Sequence, residues 1–333
     1  MKSALFRKLS KSILRIVVAL AIFPGIPALC YWLWKPGSDS LLCDYRSNAI
    51  WIGHGWLGDD GWFVRNGRDK NLFRSEEKIS ALCKKLVANK INTVYPHLCP
   101  AYRNGRIARY DSAQVELFLD VAARYNIKVI PWIGGVLDES ARPDDVVWRK
   151  NFVASTGELL KTHPRLAGVQ VNIEPLPSGN LHFLKLLEEL RPVTQGKILG
   201  VAAYPPPTRW HQYPDVHWEL PYITEIARRC DQLAVMMYDT AIPLEKFYTK
   251  LMSDWTRQLV DSTCFIKDTQ LILGVPAYED AGVGYHHPRV ENLSSALRGI
   301  AARDLRKCVD GIAIYCEWEM TESKWQIWQK FVK

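Results

Sequence analysis

Between residues 166 and 174 apolar and polar side chains alternate. Val169, Val171 and Ile173 fall on one face of an extended chain, and Gln170, Asn172 and Glu174 fall on the other. The polar face ends in an acid immediately before a Pro-Leu-Pro-Ser-Gly break at 175–179. Stretches of helical spacing precede and follow this strand, which argues against a polar face turned to open water. An inward polar face with Glu174 at its carboxyl end suits one strand of a closed barrel, where functional groups gather at the strand ends.

The same change of period recurs from residue 47 onward. The pattern predicts strands at 49–54, 91–98, 127–135, 166–174, 197–204, 232–239, 269–278 and 311–317. It predicts helices at 75–90, 112–125, 144–162, 180–191, 221–230, 244–261, 290–303 and 322–332. In the first of these helices Ile79, Leu82 and Leu86 keep helical spacing, and Ser75 with Glu77 supplies a start signal. Eight β/α units in about 285 residues predict an α/β fold of the (β/α)8 TIM-barrel type. A doubly wound open sheet is the competing architecture. It would want a glycine-rich turn leading into a helix after its first strand. Here Gly53-His54-Gly55-Trp56-Leu57-Gly58 runs into a polar loop instead. The reading is one domain over residues 47–333.

Charge changes the picture only at the amino terminus. The net charge is +8, but Lys2, Arg7, Lys8, Lys11, Arg15 and Lys35 contribute +6 with no acid before residue 36, leaving 8 − 6 = +2 for the rest. No basic run interleaved with aromatics follows, so no nucleic-acid partner is expected. Residues 16–34 are uncharged, and nineteen residues of helix span about 28 Å, close to the thickness of a bilayer core. With Tyr31, Trp32 and Trp34 at the far end, this stretch is read as an uncleaved transmembrane anchor. Residues 1–15 would then be a cytoplasmic basic tail, 35–46 a spacer, and the rest extracytoplasmic, on the periplasmic face of the inner membrane in a bacterium. Secretion after cleavage of a signal peptide is the alternative. The eight cysteines show no metal spacing. Cys83, Cys99, Cys230 and Cys316 lie in apolar elements and read as buried thiols, while a bridge from Cys43 to a later loop cysteine cannot be assigned from sequence.

The strand ends carry the candidate chemistry. They supply His54 and Trp56, then Tyr95 and His97, then Trp132, then Asn172 and Glu174, and then Tyr204. Tyr238 and Asp239 follow, then Tyr278 and Glu279, and finally Tyr315, Glu317, Trp318 and Glu319. Aromatic walls with scattered carboxylates suit a carbohydrate cleft, where rings cover the apolar faces of a sugar and acids bond its hydroxyls. Thirteen tryptophans agree with that, although core filling accounts for most of them. No His/acid spacing of a metal site, no phosphate loop and no Gly-x-Ser-x-Gly elbow occurs, so neither a metal nor a cofactor is expected. No obligate protein partner is evident. The expected partners are a glycan and, through residues 16–34, the membrane.

Taken strand by strand, the chain resembles glycoside hydrolase family 18, the chitinases and endo-β-N-acetylglucosaminidases. Trp132-Ile133-Gly134-Gly135 stands where the family carries Ser-x-Gly-Gly. Ala167-Gly168-Val169-Gln170-Val171-Asn172-Ile173-Glu174 stands for Asp-Gly-x-Asp-x-Asp-x-Glu. Ala202-Ala203-Tyr204-Pro205 is similar to Ala-Ala-x-Pro, and Met236-Met237-Tyr238-Asp239 fits Met-x-Tyr-Asp. Leu273-Gly274-Val275-Pro276-Ala277-Tyr278 looks like Leu-Gly-Ile-Pro-x-Tyr, and Tyr315 takes the place of the tryptophan that floors the sugar subsite. The resemblance implies a glycosidase of N-acetylated glycans that retains configuration without an enzyme nucleophile. Glu174 would be acid and then base, Tyr238 would bond the 2-acetamido group, and Asp239 would bond the sugar. Gln170, Trp56, His97, Trp132, Tyr204, Tyr278, Glu279, Tyr315, Glu317 and Trp318 would bind substrate.

All three motif aspartates are replaced, by Ala167, Gln170 and Asn172. Asn172 keeps hydrogen-bonding capacity but not the negative charge. An Asn-x-Glu pair is similar to that of the family 85 endo-β-N-acetylglucosaminidases, where asparagine holds the acetamide. Two alternatives stay open at this stage. One is a non-catalytic carbohydrate-binding protein on a degenerate hydrolase barrel. The other is a retaining glycosidase with Glu279 or Glu317 as nucleophile, as in barrels carrying Asn-Glu-Pro, although Ile173 separates Asn172 from Glu174 here.

Overall fold

Alternate residues of the strands enter two separate apolar layers, one inside a closed sheet and one between that sheet and the surrounding helices. The computed structural model describes residues 25–42, 46–208, 216–279, 286–303 and 308–332, apart from the Cys99 side chain. Its strands are β1 (Ala49–Ile52), β2 (Thr93–Pro100), β3 (in two pieces, Lys128–Val129 and Trp132–Val136) and β4 (Gly168–Glu174). They continue with β5 (Ile198–Ala203), β6 (Gln232–Met236), β7 (Gln270–Pro276) and β8 (Gly311–Tyr315). Each pairs in parallel with the next, and β1 pairs with both β2 and β8, so the eight strands close into a (β/α)8 barrel. The break in β3 falls at Ile130-Pro131, where proline has no N–H to give to the ladder.

The helices begin where the sequence supplies an oxygen to cap them. Ser75 accepts from Lys78 N ahead of Glu76–Ala88. Asp111 caps Ser112–Arg124, Asp145 caps Val146–Thr162, and Asn180 caps Leu181–Leu190. Leu220–Ala227, Glu245–Thr263, Leu293–Ala301 and Glu322–Phe331 complete the ring. Expected and observed ends differ by a few residues, mostly because strand ladders stop before the polar residues at the barrel mouth. One helix, Asp60–Asn66, was not expected. Only Phe63 of its seven residues is buried, so it has no apolar stripe to betray it; Asp59 caps it and Gly67 ends it in the left-handed region at φ 58°.

In β4 the division of faces is as the alternation predicts. Val169, Val171 and Ile173 pack in the outer layer, and Gln170 is fully buried inside the barrel, accepting from Trp51 Nε1 at 2.9 Å. Tyr95 donates to Gln232, whose Nε2 donates to Gln270 at 3.0 Å. The barrel interior below the mouth is thus an amide and aromatic network set among Ala49, Ile130, Ala234, Ile272 and Ala313.

The chain divides into two units, residues 1–36 and 37–333. The expected basic tail at 1–15 and residues 16–24 of the expected membrane anchor lie outside the described residues. Residues 25–33 are helical, and among the described residues no helix is long and apolar enough to cross a membrane. Part of the expected spacer belongs with the barrel: Ser38 N donates to Arg298 O, and Leu42, 6% exposed, pairs with Val332. Cys264 and Cys308, 44 residues apart, form a disulfide that ties the end of Glu245–Thr263 to the segment before β8. Cys83, Cys230 and Cys316 are buried free thiols as expected, Cys30 is free and exposed, and Cys43 lies outside the described residues.

Candidate active site

Glu174 is the last residue of β4 and stands at the junction of two hollows in the barrel mouth. The larger, about 460 Å³, is walled by Trp51, Tyr238, Asp239, Tyr278, His286 and Trp318, with Met236, Cys316 and Glu319 completing it. The smaller, about 330 Å³, is lined by His97, Pro100, Gly134, Gly135, Val136 and Ser140. Trp132, Asn172, Glu174 and Tyr315 belong to both. The first glycine of the Gly-Gly pair in β3 is what lets β3 and β4 approach here. Gly134 sits at φ 150°, and a Cβ on it would stand 1.8 Å from the Asn172 carbonyl oxygen.

Glu174 reaches the cavity and yet lies deep, with protein on every other side. Burial raises its pKa first and the Asp239 charge adds to that, while hydrogen bonds from Asn172 and Tyr204 work in the opposite direction; the net shift is upward. A carboxyl whose pKa is raised keeps its proton to higher pH and is the better suited to acid catalysis. Asn172 gives its amide N–H to Glu174, which leaves its Oδ1 buried and without a hydrogen-bond partner among the described residues. Trp132 Nε1 is a buried donor in the same condition. Two residues of the cavity wall thus hold one unmatched acceptor and one unmatched donor beneath its surface.

The opposite wall is aromatic. Tyr238 stacks on Tyr315 with ring centres 5.3 Å apart and meets Tyr278 edge-on at 5.8 Å. Burial, with Tyr315, Glu174 and Asp239 nearby, raises the Tyr238 phenol well above its usual range, so it stays a donor. Tyr278 donates to Asp239 Oδ1 and stacks on His286 at 4.0 Å. Asp239 itself sits in the left-handed region at φ 61°, a conformation that an aspartate tolerates better than most residues. Trp318 is about half exposed and meets Tyr315 edge-on at 5.8 Å, standing as a ring at the rim.

On the other side His97 packs edge-on against Trp132 at 4.4 Å and lies 3.1 Å from Asp59 Oδ2. His54 lies 3.0 Å from the same oxygen and stacks on Trp62 at 4.8 Å. Burial pushes the His97 imidazole down to about 4, against the pull of Asp59, so it is neutral at pH 7. Burial works to raise the Asp59 carboxyl, but hydrogen bonds from both histidines outweigh it and hold that group well below the usual range.

Of the residues expected to act, Glu174, Asn172, Tyr238 and Asp239 converge on the cavities, as do His97, Trp132, Tyr278, Tyr315 and Trp318. Tyr204 stands behind Glu174 as a hydrogen-bond donor and is itself buried. Four residues lie off the cavity wall. Gln170 is one layer deeper. Trp56 donates to Glu317 at 3.3 Å, away from the hollows, and burial pushes the Glu317 carboxyl up. Glu279 is exposed, 2.7 Å from Lys324 Nζ, and held below the usual range by it.

Sequence reasoning missed Trp51, Asp59, His286 and Glu291. Trp51 was within reach, since with Ala49 it shares the inward face of β1. Asp59, His286 and Glu291 sit in connections where periodicity gives no signal. His286 and Glu291 are buried and close to Asp239, and burial pushes the Glu291 carboxyl up to about 7. Residues with no metal-ligand spacing in sequence thus come together in two trios, His54 with Asp59 and His97, and Asp239 with His286 and Glu291. In each trio the three ligand atoms lie within 4.8 Å of one another.

Comparison with known proteins adds the lineage. No curated protein matches the sequence significantly. Among solved structures the chain is similar to the spore cortex-lytic enzyme SleL of Bacillus cereus, at 7% identity and TM-score 0.58, covering 86% of this chain and 74% of that one. It is also similar to the C-terminal domain of a putative chitinase from Desulfitobacterium hafniense, at 14% identity and TM-score 0.59, over 86% and 99% of the two chains. A third is the xylanase and alpha-amylase inhibitor protein of Scadoxus multiflorus, at 16% identity and TM-score 0.53, over 86% and 98%. At such identities the likenesses establish the barrel alone. The sequence itself carries the lineage: its match to the family model for glycosyl hydrolases family 18 runs over residues 65–324, from before β2 to beyond β8. The chain belongs to glycosyl hydrolases family 18, a family of glycosidases.

Proposed function

We propose that the protein hydrolyses a glycan containing an N-acetylated sugar, with Glu174 as acid and then base and the 2-acetamido group of the substrate as nucleophile. Glu174 gives its proton to the glycosidic oxygen as the bond to the anomeric carbon breaks. The acetamido oxygen bonds to that carbon, forming a cyclic oxazolinium. Water then opens the ring, losing a proton to the Glu174 carboxylate, and the acid is restored. This is an exception to the two-carboxylate scheme of most glycosidases.

The observation that carries this reading is the unmatched pair beside the acid. A 2-acetamido group has one N–H and one C=O, and Asn172 Oδ1 and Trp132 Nε1, on two residues that line the hollow, are an unmatched acceptor and an unmatched donor that a small side-chain turn would present to it. Buried polar atoms without partners are rare because they are costly, so a ligand that satisfies both binds with an advantage over one that satisfies neither. Tyr238, held protonated, supplies a further donor. Asn172 brings no charge, and Asp239 is the carboxylate that lines the same hollow besides Glu174 and Glu319. Glu279 and Glu317 lie off both hollows, which weighs against an enzyme nucleophile at either position.

The Cys264–Cys308 disulfide supports a domain that matures in an oxidising compartment. That accords with an extracytoplasmic domain, behind either an anchor at 16–34 or a cleaved signal. The test is Glu174→Gln on an N-acetylated oligosaccharide with a chromogenic leaving group. Loss of turnover with retained saturable binding is the expected result. Turnover equal to wild type would remove Glu174 from the mechanism. Binding without cleavage by the wild type would instead establish a carbohydrate-binding protein on a hydrolase barrel.

A further inference from the structure

The Asp239, His286 and Glu291 trio behind the larger hollow has an unusual hydrogen-bond pattern. His286 is 1% exposed and Glu291 is fully buried. His286 Nε2 lies 3.2 Å from the Tyr278 carbonyl oxygen, which can only accept, so Nε2 carries the proton and donates. In the neutral ring Nδ1 then carries a lone pair. Nδ1 stands 3.3 Å from Asp239 Oδ1 and 3.8 Å from Glu291 Oε2, both acceptors. Among the described residues neither His286 Nδ1 nor Glu291 Oε1 has a hydrogen-bond partner. No lysine or arginine bridges either carboxylate among them.

Tyr278 donates to Asp239 Oδ1 and Thr240 N to Glu291 Oε2, but among the described residues no hydrogen bond joins His286 Nδ1 to either carboxylate, and three donor atoms gathered this closely favour a positive charge among them. We infer that Asp239, His286 and Glu291 form a binding site for one divalent cation of the zinc or manganese kind, opening on the sugar-binding hollow. Zinc ligands at about 2.0–2.1 Å from a tetrahedral centre stand about 3.3 Å apart, and the Asp239–His286 separation has that value. A histidine whose second nitrogen is bonded to a backbone carbonyl is the usual companion of a metal–imidazole bond, because it fixes the tautomer. Two carboxylates and a neutral imidazole balance a double positive charge, whereas a single proton compensates only one of the two carboxylates. Mixed nitrogen and carboxylate ligands suit first-row divalent ions rather than calcium.

The second trio shows the contrast. There both histidine Nδ1 atoms bond Asp59 Oδ2, and Asp59 Oδ1 accepts from Trp62 N, so hydrogens already fill the space between the donors. The cation would hold the segment carrying His286 and Glu291 against Asp239 and Thr240 at the end of β6, where Thr240 N already donates to Glu291 Oε2 at 3.0 Å. This inference does not rest on the hydrolase mechanism, since its readout is binding of a metal.

The full chain, stripped with a chelator and dialysed, is titrated separately with Zn²⁺ alone and Mn²⁺ alone. The expected result is one equivalent bound per chain, weakened at least ten-fold in Glu291→Gln and in His286→Ala and unchanged in Asp59→Asn. Failure of the wild type to take up either ion would overturn the inference and leave a trapped proton in its place. Binding lost in Asp59→Asn rather than in Glu291→Gln would overturn it too. Should the buried variants fail to fold, Mn²⁺ broadening of wild-type resonances decides. Broadening centred on Tyr278 and Thr240 supports the site, and broadening centred on Trp62 contradicts it.

Discussion

Glu174 closes β4, and Glu279 follows the end of β7 by three residues, so both carboxylates leave the barrel at its carboxyl end. Their surroundings differ in every respect that sets an acid. Glu174 is enclosed, has no lysine or arginine among the groups that shift it, and faces the charge of Asp239; its pKa is raised. Glu279 is mostly exposed and paired with Lys324, and its pKa is lowered. Position at a strand end therefore does not by itself raise a carboxyl's pKa. Enclosure without a counter-charge is what separates the two.

The comparison breaks most visibly through Glu174→Gln, which keeps the volume and removes the proton. A fall in kcat of about 10²–10⁴-fold is expected from loss of general acid catalysis, measured on an N-acetylated chromogenic substrate. Next in size is Tyr238→Phe. It removes one donor from the cavity and should lower kcat/KM by about ten- to a hundred-fold, the worth of a hydrogen bond to a group that gains charge, with the Tyr238–Tyr315 stack kept.

The pH profile sharpens the contrast without removing either glutamate. Glu174 must be protonated to act, so kcat/KM should fall as pH rises through its elevated pKa. Asp239→Asn removes a charge that raises that pKa, and the alkaline limb should move to lower pH. Lys324→Met, which frees Glu279, should leave the limb in place. Stability follows the same sign. An acid whose folded pKa lies above its unfolded value, about 4.3, holds its proton more tightly in the folded state, and stability declines as pH rises through that window. Glu174→Gln cannot ionise, so its Tm relative to wild type should rise as pH climbs from the ordinary carboxylate range through the elevated pKa. A Tm difference independent of pH would contradict the assigned shift. The smallest effect belongs to Glu279→Gln: at most about 1 kcal/mol of stability, as for an exposed ion pair, and kcat/KM unchanged.

The barrel was legible because its cause is periodic. Switching between a period of two and one of 3.6 marks eight strands and eight helices, and packing on both sides of the sheet keeps those patterns clean. Asp60–Asn66 escaped because a helix that buries one residue has no period to read. The site was legible where it lies on strands and illegible where it leaves them. Period two tells which face a residue takes but not its depth, so Gln170 was grouped with Asn172 and Glu174 although it lies beneath the cavity and bonds Trp51. Past the strand ends even the face is lost, as with Glu279 turning out to Lys324. His286, Glu291 and the Cys264–Cys308 pair depend on loops folding back, and no local spacing encodes that.

The central claim is that the acid at Glu174 works with the substrate's own acetamide and not with a second enzyme carboxylate. Its most direct test pairs two reagents on the wild-type protein. A thiazoline mimic of the oxazolinium should inhibit competitively, and a 2-fluoro sugar lacking the acetamide should leave the intact protein mass unchanged. A positioned intramolecular nucleophile is worth about 7–11 kcal/mol of barrier, so substrates without the 2-acetamido group should also be nearly inert. Covalent labelling of Glu279, Glu317 or Glu319 by the 2-fluoro sugar, with thiazoline without effect, would contradict the account.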